Sequence, residues 1–263
     1  MTTPKSKQQD GPAGAPALSA FVFPFVGRQK EMARLCEVHA EQKHALILGP
    51  AGVGKSALVG QAREQLSLLV SARSAHLGEI CEGLEPQLGL EPAGLRLLQR
   101  KQRVREAVAA AGRVVVFDGV GWTGPKVSSF FESVVERAPV WICTRSEHAW
   151  DIGHFWPLLV RFERVEVRPF HLSETQALVQ AAVDAGRIPA EAAGIVEWLQ
   201  RRSAGVPLVL CELLEEVATG RYDLSNPRAL RRLDLDRRIH EVFPPAGSGC
   251  GWGSAASVED GGA

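Results

Sequence analysis

The sequence predicts an α/β protein: a three-layer αβα core around a mainly parallel sheet, followed by a small helical domain. Three observations predict it. Short β-branched or aliphatic runs alternate with longer segments of helical spacing, the pattern of βαβ units. The apolar runs are uninterrupted, which suits strands covered on both faces. Beyond about residue 170 only helical spacing remains.

Taken in order, residues 1–20 are rich in Pro, Gly, Ala, Ser and Gln and bury too little apolar area to offset chain entropy, so a disordered leader is expected. Structure is expected from Phe21. Strands are predicted over residues 45–48, 69–72, 114–117, 140–143 and 165–167, with helices over 29–41, 55–66, 93–110 and 126–137 between them. Helices alone follow over 173–185, 190–202, 208–219 and 227–239. The Gly/Ser/Ala-rich stretch 244–263 loses all periodicity and reads as a disordered tail. The expected division is therefore a core over 21–170 and a helical domain over 171–243.

Composition excludes several classes. Lys plus Arg number 30 and Asp plus Glu number 30, so there is no bulk attraction to nucleic acid or an anionic membrane. The cysteines Cys36, Cys81, Cys143, Cys211 and Cys250 are odd in number and far apart, against a disulfide framework or a Cys-rich zinc site. No run approaches the roughly 18 apolar residues of a membrane span. The apolar stretch 18–26 is broken by Pro24 and lacks a small-residue cleavage site, so a soluble, cytoplasmic chain with reduced thiols is expected.

The strongest local signal is Gly49-Pro50-Ala51-Gly52-Val53-Gly54-Lys55-Ser56, which fits G-x-x-x-x-G-K-[ST] between a predicted strand and a predicted helix. Glycines let consecutive backbone N–H groups surround phosphate oxygens, and the helix N-terminus adds a favourable field. Lys55 reaches the β and γ phosphates, and the Ser56 hydroxyl serves Mg²⁺. Ala57 extends this set into the first helical turn. About 60 residues on, an apolar strand ends in Asp118, placed to hold Mg²⁺ through water. A turn cap is the plainer reading of such an Asp, and the phosphate loop reverses the preference. The next strand ends in Thr144-Arg145, putting a planar cation at the carboxyl edge where open α/β folds bind ligands.

These residues resemble the NB-ARC-like, signal-transduction (STAND) branch of the AAA+ P-loop NTPases. Phe25-Val26-Gly27-Arg28 with Glu31 and Leu35 resembles that family's leading motif, and Gly49–Ser56 its phosphate loop. Val114–Asp118 resembles its metal strand, Thr144-Arg145 its sensor, Leu172-Ser173 its turn into a helical lid, and Gly205-Val206-Pro207-Leu208 its "GLPL". The resemblance spans about residues 21–220. It implies a P-loop NTPase core with ATP and Mg²⁺ as cofactors, Val26 and Arg28 beside base and sugar, and Pro207 against adenine from the lid. It further implies catalytic roles for Lys55, Asp118 and Arg145, and a protein partner or self-association. Gly205-Val206-Pro207 also reads as a helix stop and restart, which is compatible.

Two departures stand out. Gly119 occupies the place of a second acid after Asp118, so turnover is expected to be weak, and the winged-helix domain and sensor repeats of that family are expected to be missing. The expected function is a switch that changes its core–lid arrangement with nucleotide state. The rival readings are an AAA+ ATPase acting on nucleic acid, of the origin-recognition or transposition-helper kind, and a degenerate module that binds nucleotide without cleaving it. The basic clusters Arg96–Arg105 and Arg231–Arg238 read first as solvated helix faces, so nucleic acid is the less favoured partner. Trp150, Phe155 and Trp156, with Leu158 and Leu159, are expected to pack as core.

Overall fold

The computed structural model describes residues 23–91 and 94–242. The leader expected at 1–20 and the tail expected at 244–263 lie outside the described residues. The α-helices are α1 (Gln29–Ala40), α2 (Lys55–Gln65), α3 (Leu77–Leu84), α4 (Leu97–Ala111), α5 (Pro125–Val135), α6 (Ala149–Ile152), α7 (Leu172–Asp184), α8 (Val196–Ser203), α9 (Pro207–Ala218) and α10 (Pro227–Val242). The strands are β1 (Ala45–Leu48), β2 (Leu68–Ser71), β3 (Val114–Val120), β4 (Val140–Thr144) and β5 (Glu163–Glu166), in the spatial order β2-β3-β4-β1-β5. All four pairings are parallel.

Strand side chains alternate between faces, and this two-residue period sorts the core into two layers. Leu46, Leu69, Val115, Phe117, Val140 and Ile142 pack on one face with Ile80, Val104, Phe130 and Phe131 from α3, α4 and α5. Ala45, Ile47, Leu68, Val114, Val116, Trp141 and Cys143 pack on the other with Leu35 and Val38 of α1 and Leu58, Val59 and Ala62 of α2. The same parity places Asp118, two residues beyond Val116, on the face that carries α2 and Lys55. A third apolar cluster is built by α7–α10, with Leu178, Leu199, Leu213, Leu214 and Leu233 fully or nearly buried.

Several expectations are corrected. The strand predicted from residue 114 continues past Phe117 to Val120 through a register break, because Gly119 adopts φ +68°. The helix expected from residue 93 begins at Leu97. The helix expected over 190–202 starts as a 3₁₀ segment, Ala190–Ile195, and becomes α-helical only at Val196. Helix α3 was not expected. Trp150 and Trp156 are not core residues: short turns around Gly153 and Pro157 aim Phe155 and Leu159 inward and leave both indoles exposed. No described helix is long and apolar enough to cross a membrane.

Candidate functional site

Gly49 ends β1 between β4 and β5, and the space there explains the residue: a Cβ would stand 2.3 Å from the Val167 carbonyl oxygen. The loop then turns through Gly52 (φ +73°) and Gly54 (φ +95°) into α2, conformations that suit glycine. Among the described residues, no turn or loop backbone bond takes its donor from Ala51, Gly52, Val53 or Gly54. Amides left in this way before a helix N-terminus form an anion cradle. Lys55 folds back over it, its Nζ donating to the carbonyl oxygens of Gly49 (2.6 Å) and Pro50 (2.9 Å). Ser56 and Ala57 are exposed in the first turn of α2.

Three further side chains face Lys55. Burial lowers its pKa, Cys143 and Asp118 draw it back up, and Arg145 lowers it. Asp118 is buried at the β3 bend, where one carboxylate oxygen accepts the Gly119 N–H at 2.8 Å. Cys143, one strand over, is fully buried and hydrogen-bonded to Asp118; burial first and that carboxylate second hold its thiol well above the usual range. Sequence reasoning passed over Cys143. Its position two residues before Arg145, on the face fixed by strand parity, is the signal that could have found it.

A consequence follows for Cys143. Iodoacetamide at pH 8 is expected to leave it unmodified in the folded chain and to label it in denaturant, as read by peptide mass spectrometry. The sign of the pH effect follows as well. Between the ordinary thiol pKa and the raised folded one, the unfolded chain has lost its proton and the folded chain has not, so this group lowers stability as pH rises.

Arg145 is exposed and makes no hydrogen bond or salt bridge among the described residues. It borders an open groove of about 320 Å³ that runs from Gly49 and Pro50 past Ser146 and His148. A second open groove, about 480 Å³, is lined by Val26, Gly27, Met32 and Gln61. Val26 therefore faces a space next to the loop helix. Arg28 is placed differently. Only 4% exposed, its guanidinium donates to the Val53 carbonyl oxygen at 2.9 Å, pairs with Glu31 at 3.0 Å and lies 4.7 Å from the Phe170 ring centre. Pro207 opens α9, and that helix begins on the phosphate loop: the Leu208 N–H donates to the Gly52 carbonyl oxygen at 3.1 Å.

The residues fit a nucleotide with a divalent cation. The free amides, the glycine geometry and the lysine converge on one cradle, with one buried carboxylate nearby. Among the described residues no three His, Cys, Asp or Glu side chains are placed to hold a metal by themselves. A cation here would depend on Ser56, Asp118, phosphate oxygens and water.

No protein-family profile matches the chain, and no curated protein matches it. Solved structures do. The ORC1 protein of Aeropyrum pernix, in complex with DNA, is 15% identical with a TM-score of 0.59, over 84% of this chain and 69% of that one. Drosophila ORC bound to DNA gives 14% identity and a TM-score of 0.57, over 92% and 72%. A Walker-type ATPase of Pyrococcus abyssi gives 16% and 0.55, over 83% and 75%. The likeness to these structures shows the fold: a three-layer αβα P-loop NTPase fold around a parallel five-stranded sheet.

Proposed function

We propose that the chain is an ATP-binding switch of the STAND/AAA+ type, in which nucleotide and Mg²⁺ at Gly49–Ser56 set how the helical lid, residues 171–243, rests on the core, residues 21–170. The observation that carries this reading is the hydrogen bond from Leu208 to Gly52. A ligand filling the loop bears on the first turn of α9, so it has a differential affinity for lid positions, which is what a nucleotide switch requires. Val26 and Pro207 offer the apolar contacts to a base, and Arg28 ties the leading turn to the loop. Lys55 and Arg145 stabilise phosphate charge, and Asp118 and Ser56 would hold the cation, which when bound would neutralise charge on the phosphates. Gly119 leaves no side chain to polarise a water, so turnover is slow and the bound state is long-lived. The reader of that state is a protein partner or a second copy of the chain, in the cytoplasm.

Single-turnover cleavage of labelled ATP with Mg²⁺ tests this. The expected result is slow cleavage, reduced at least tenfold by Asp118→Ala, together with slower hydrogen exchange in α9 when ATP is bound. Unchanged exchange in α9 under saturating ATP would remove the switch reading; absence of ATP binding would remove the nucleotide reading altogether.

A second reading, an ATPase acting on nucleic acid, is supported by the DNA held in the Aeropyrum and Drosophila structures that share the fold. Salt-dependent binding to nucleic acid is its requirement.

A further inference from the structure

We propose that the carboxyl edge of the sheet binds single-stranded nucleic acid, with bases stacked on Trp122 and Trp150 and phosphates held by Arg73, Lys126 and Arg145. The proposal rests on the nucleic-acid reading above and adds where the strand lies and in what form it is recognised.

The two indoles are presented, not merely left over. Trp122 follows β3 and is 62% exposed; Trp150 follows β4 and is 74% exposed. Their loops are clamped to each other by buried bonds. The Thr123 N–H donates to the Ile152 carbonyl oxygen at 2.9 Å, and the His154 N–H donates to the Thr123 carbonyl oxygen at 3.1 Å. The Thr123 hydroxyl adds a third bond to Ile152, and Thr123 itself is buried. Gly153 (φ +72°) permits the approach, since a Cβ there would stand 2.6 Å from the Thr123 carbonyl oxygen and 3.1 Å from the Trp122 ring. His148 stacks on Trp150 at 4.8 Å and 18°, bracing the indole. Aromatic anchors held this rigidly lose little freedom when a ligand covers them.

The charge around them selects the occupant. Lys126, four residues from Trp122, and Arg145 enter no salt bridge among the described residues, and Arg73, at the end of β2, meets only Glu79 at 3.8 Å. Of the acids on this rim, Glu147 is neutralised by Arg164 at 2.7 Å, while Asp151 stands exposed. Strands β2, β3 and β4 are consecutive in the sheet, so these loops line up over about 10 Å. Flat π-faces flanked by the unpaired Lys126 and Arg145 and the loosely paired Arg73 suit a strand whose bases are free to stack; a duplex buries those faces against neighbouring bases. The stripe lies beside the β1 phosphate loop and shares Arg145 with it.

The test is fluorescence anisotropy of dye-labelled oligo(dT) of about 20 nucleotides, and of a duplex of equal length, against the full chain at low and moderate salt. The expected result is preference for the single strand, weakened about fivefold or more by Trp122→Ala or Trp150→Ala alone and on the order of 30-fold by both. Trp150→Phe should restore most of the binding, and Lys126→Gln should flatten the salt dependence by a little under one ion. Arg231→Ala with Arg232→Ala, in the other basic cluster, should change nothing. Both tryptophans are exposed, so far-UV circular dichroism and ATP binding should match the parent and certify folding. Binding of oligo(dT) that ignores both tryptophans would overturn the proposal while leaving the nucleic-acid reading standing. No binding of either nucleic acid would end that reading and the proposal with it. Loss of self-association on tryptophan removal, without oligo(dT) binding, would reassign the rim to protein contact.

Discussion

Alanine at Lys55 is expected to weaken ATP binding about 30-fold or more and to leave the fold intact. The ammonium sits over the cradle with only two carbonyl oxygens as partners, at 2.6 and 2.9 Å, and both are released when phosphate oxygens arrive. Carbonyls are dipoles and phosphates are charges, so the exchange favours the ligand. Removing one member of a desolvated charge pair costs about 2–5 kcal/mol, which sets the magnitude. Stability should change little, because the stem of Lys55 belongs to no apolar cluster and the loop conformation is fixed by Gly49, Gly52 and Gly54. Titration calorimetry with ATP and Mg²⁺, beside a thermal melt, checks both halves. The pH dependence has a definite sign. Burial lowers the lysine pKa in the free protein and bound phosphate favours the charged form. Binding on the alkaline side therefore takes up a proton, and affinity falls as pH rises toward the ordinary lysine range.

Much of this was legible in the sequence because strong local rules agree there. The loop at residues 49–56, the strand that carries Asp118 and the strand that leads to Arg145 lie where periodicity and motif put them, and strand parity then brings their side chains to one face. What was missed has physical reasons. Helix α3 carries a clean apolar spacing at Leu77, Ile80, Cys81 and Leu84, yet Gly78 and Gly83 lower its intrinsic propensity, and packing against β2 overrides that. The fate of Trp150 and Trp156 depended on backbone turns at Gly153 and Pro157, which residue type does not reveal. Arg28 is long enough to reach several neighbours, and the structure turns it into the interior, onto Val53 and Phe170. Strand β5 is short and pairs on one side only, so its inward signal is the single Val165 flanked by charged residues.

Gly205 carries the other large effect, on stability. It adopts φ +71°, and a Cβ there would stand 2.2 Å from the Phe170 carbonyl oxygen and 3.1 Å from the Phe170 nitrogen. That contact is a weld. The Phe170 N–H donates to the Gly205 carbonyl oxygen at 2.7 Å, and the Gln200 amide donates to the Phe170 carbonyl oxygen at 2.9 Å. The turn between α8 and α9 is thus locked to the segment that leaves β5, and Phe170 carries the Arg28 guanidinium on its ring. Gly205→Ala combines left-handed strain of about 1–2 kcal/mol with overpacking of about 1–3 kcal/mol. For a domain of this size that lowers Tm by about 4–20 °C. Gly186→Ala is the matched control: φ is +64° and no atom lies within 4 Å of its Cβ, so it carries the strain alone and should lose only about 2–8 °C. Equal losses would mean that left-handed backbone, and not the approach to Phe170, is what the glycine supplies. A larger loss at Gly205 would establish that the close approach of the α8–α9 turn to Phe170 is what the glycine supplies.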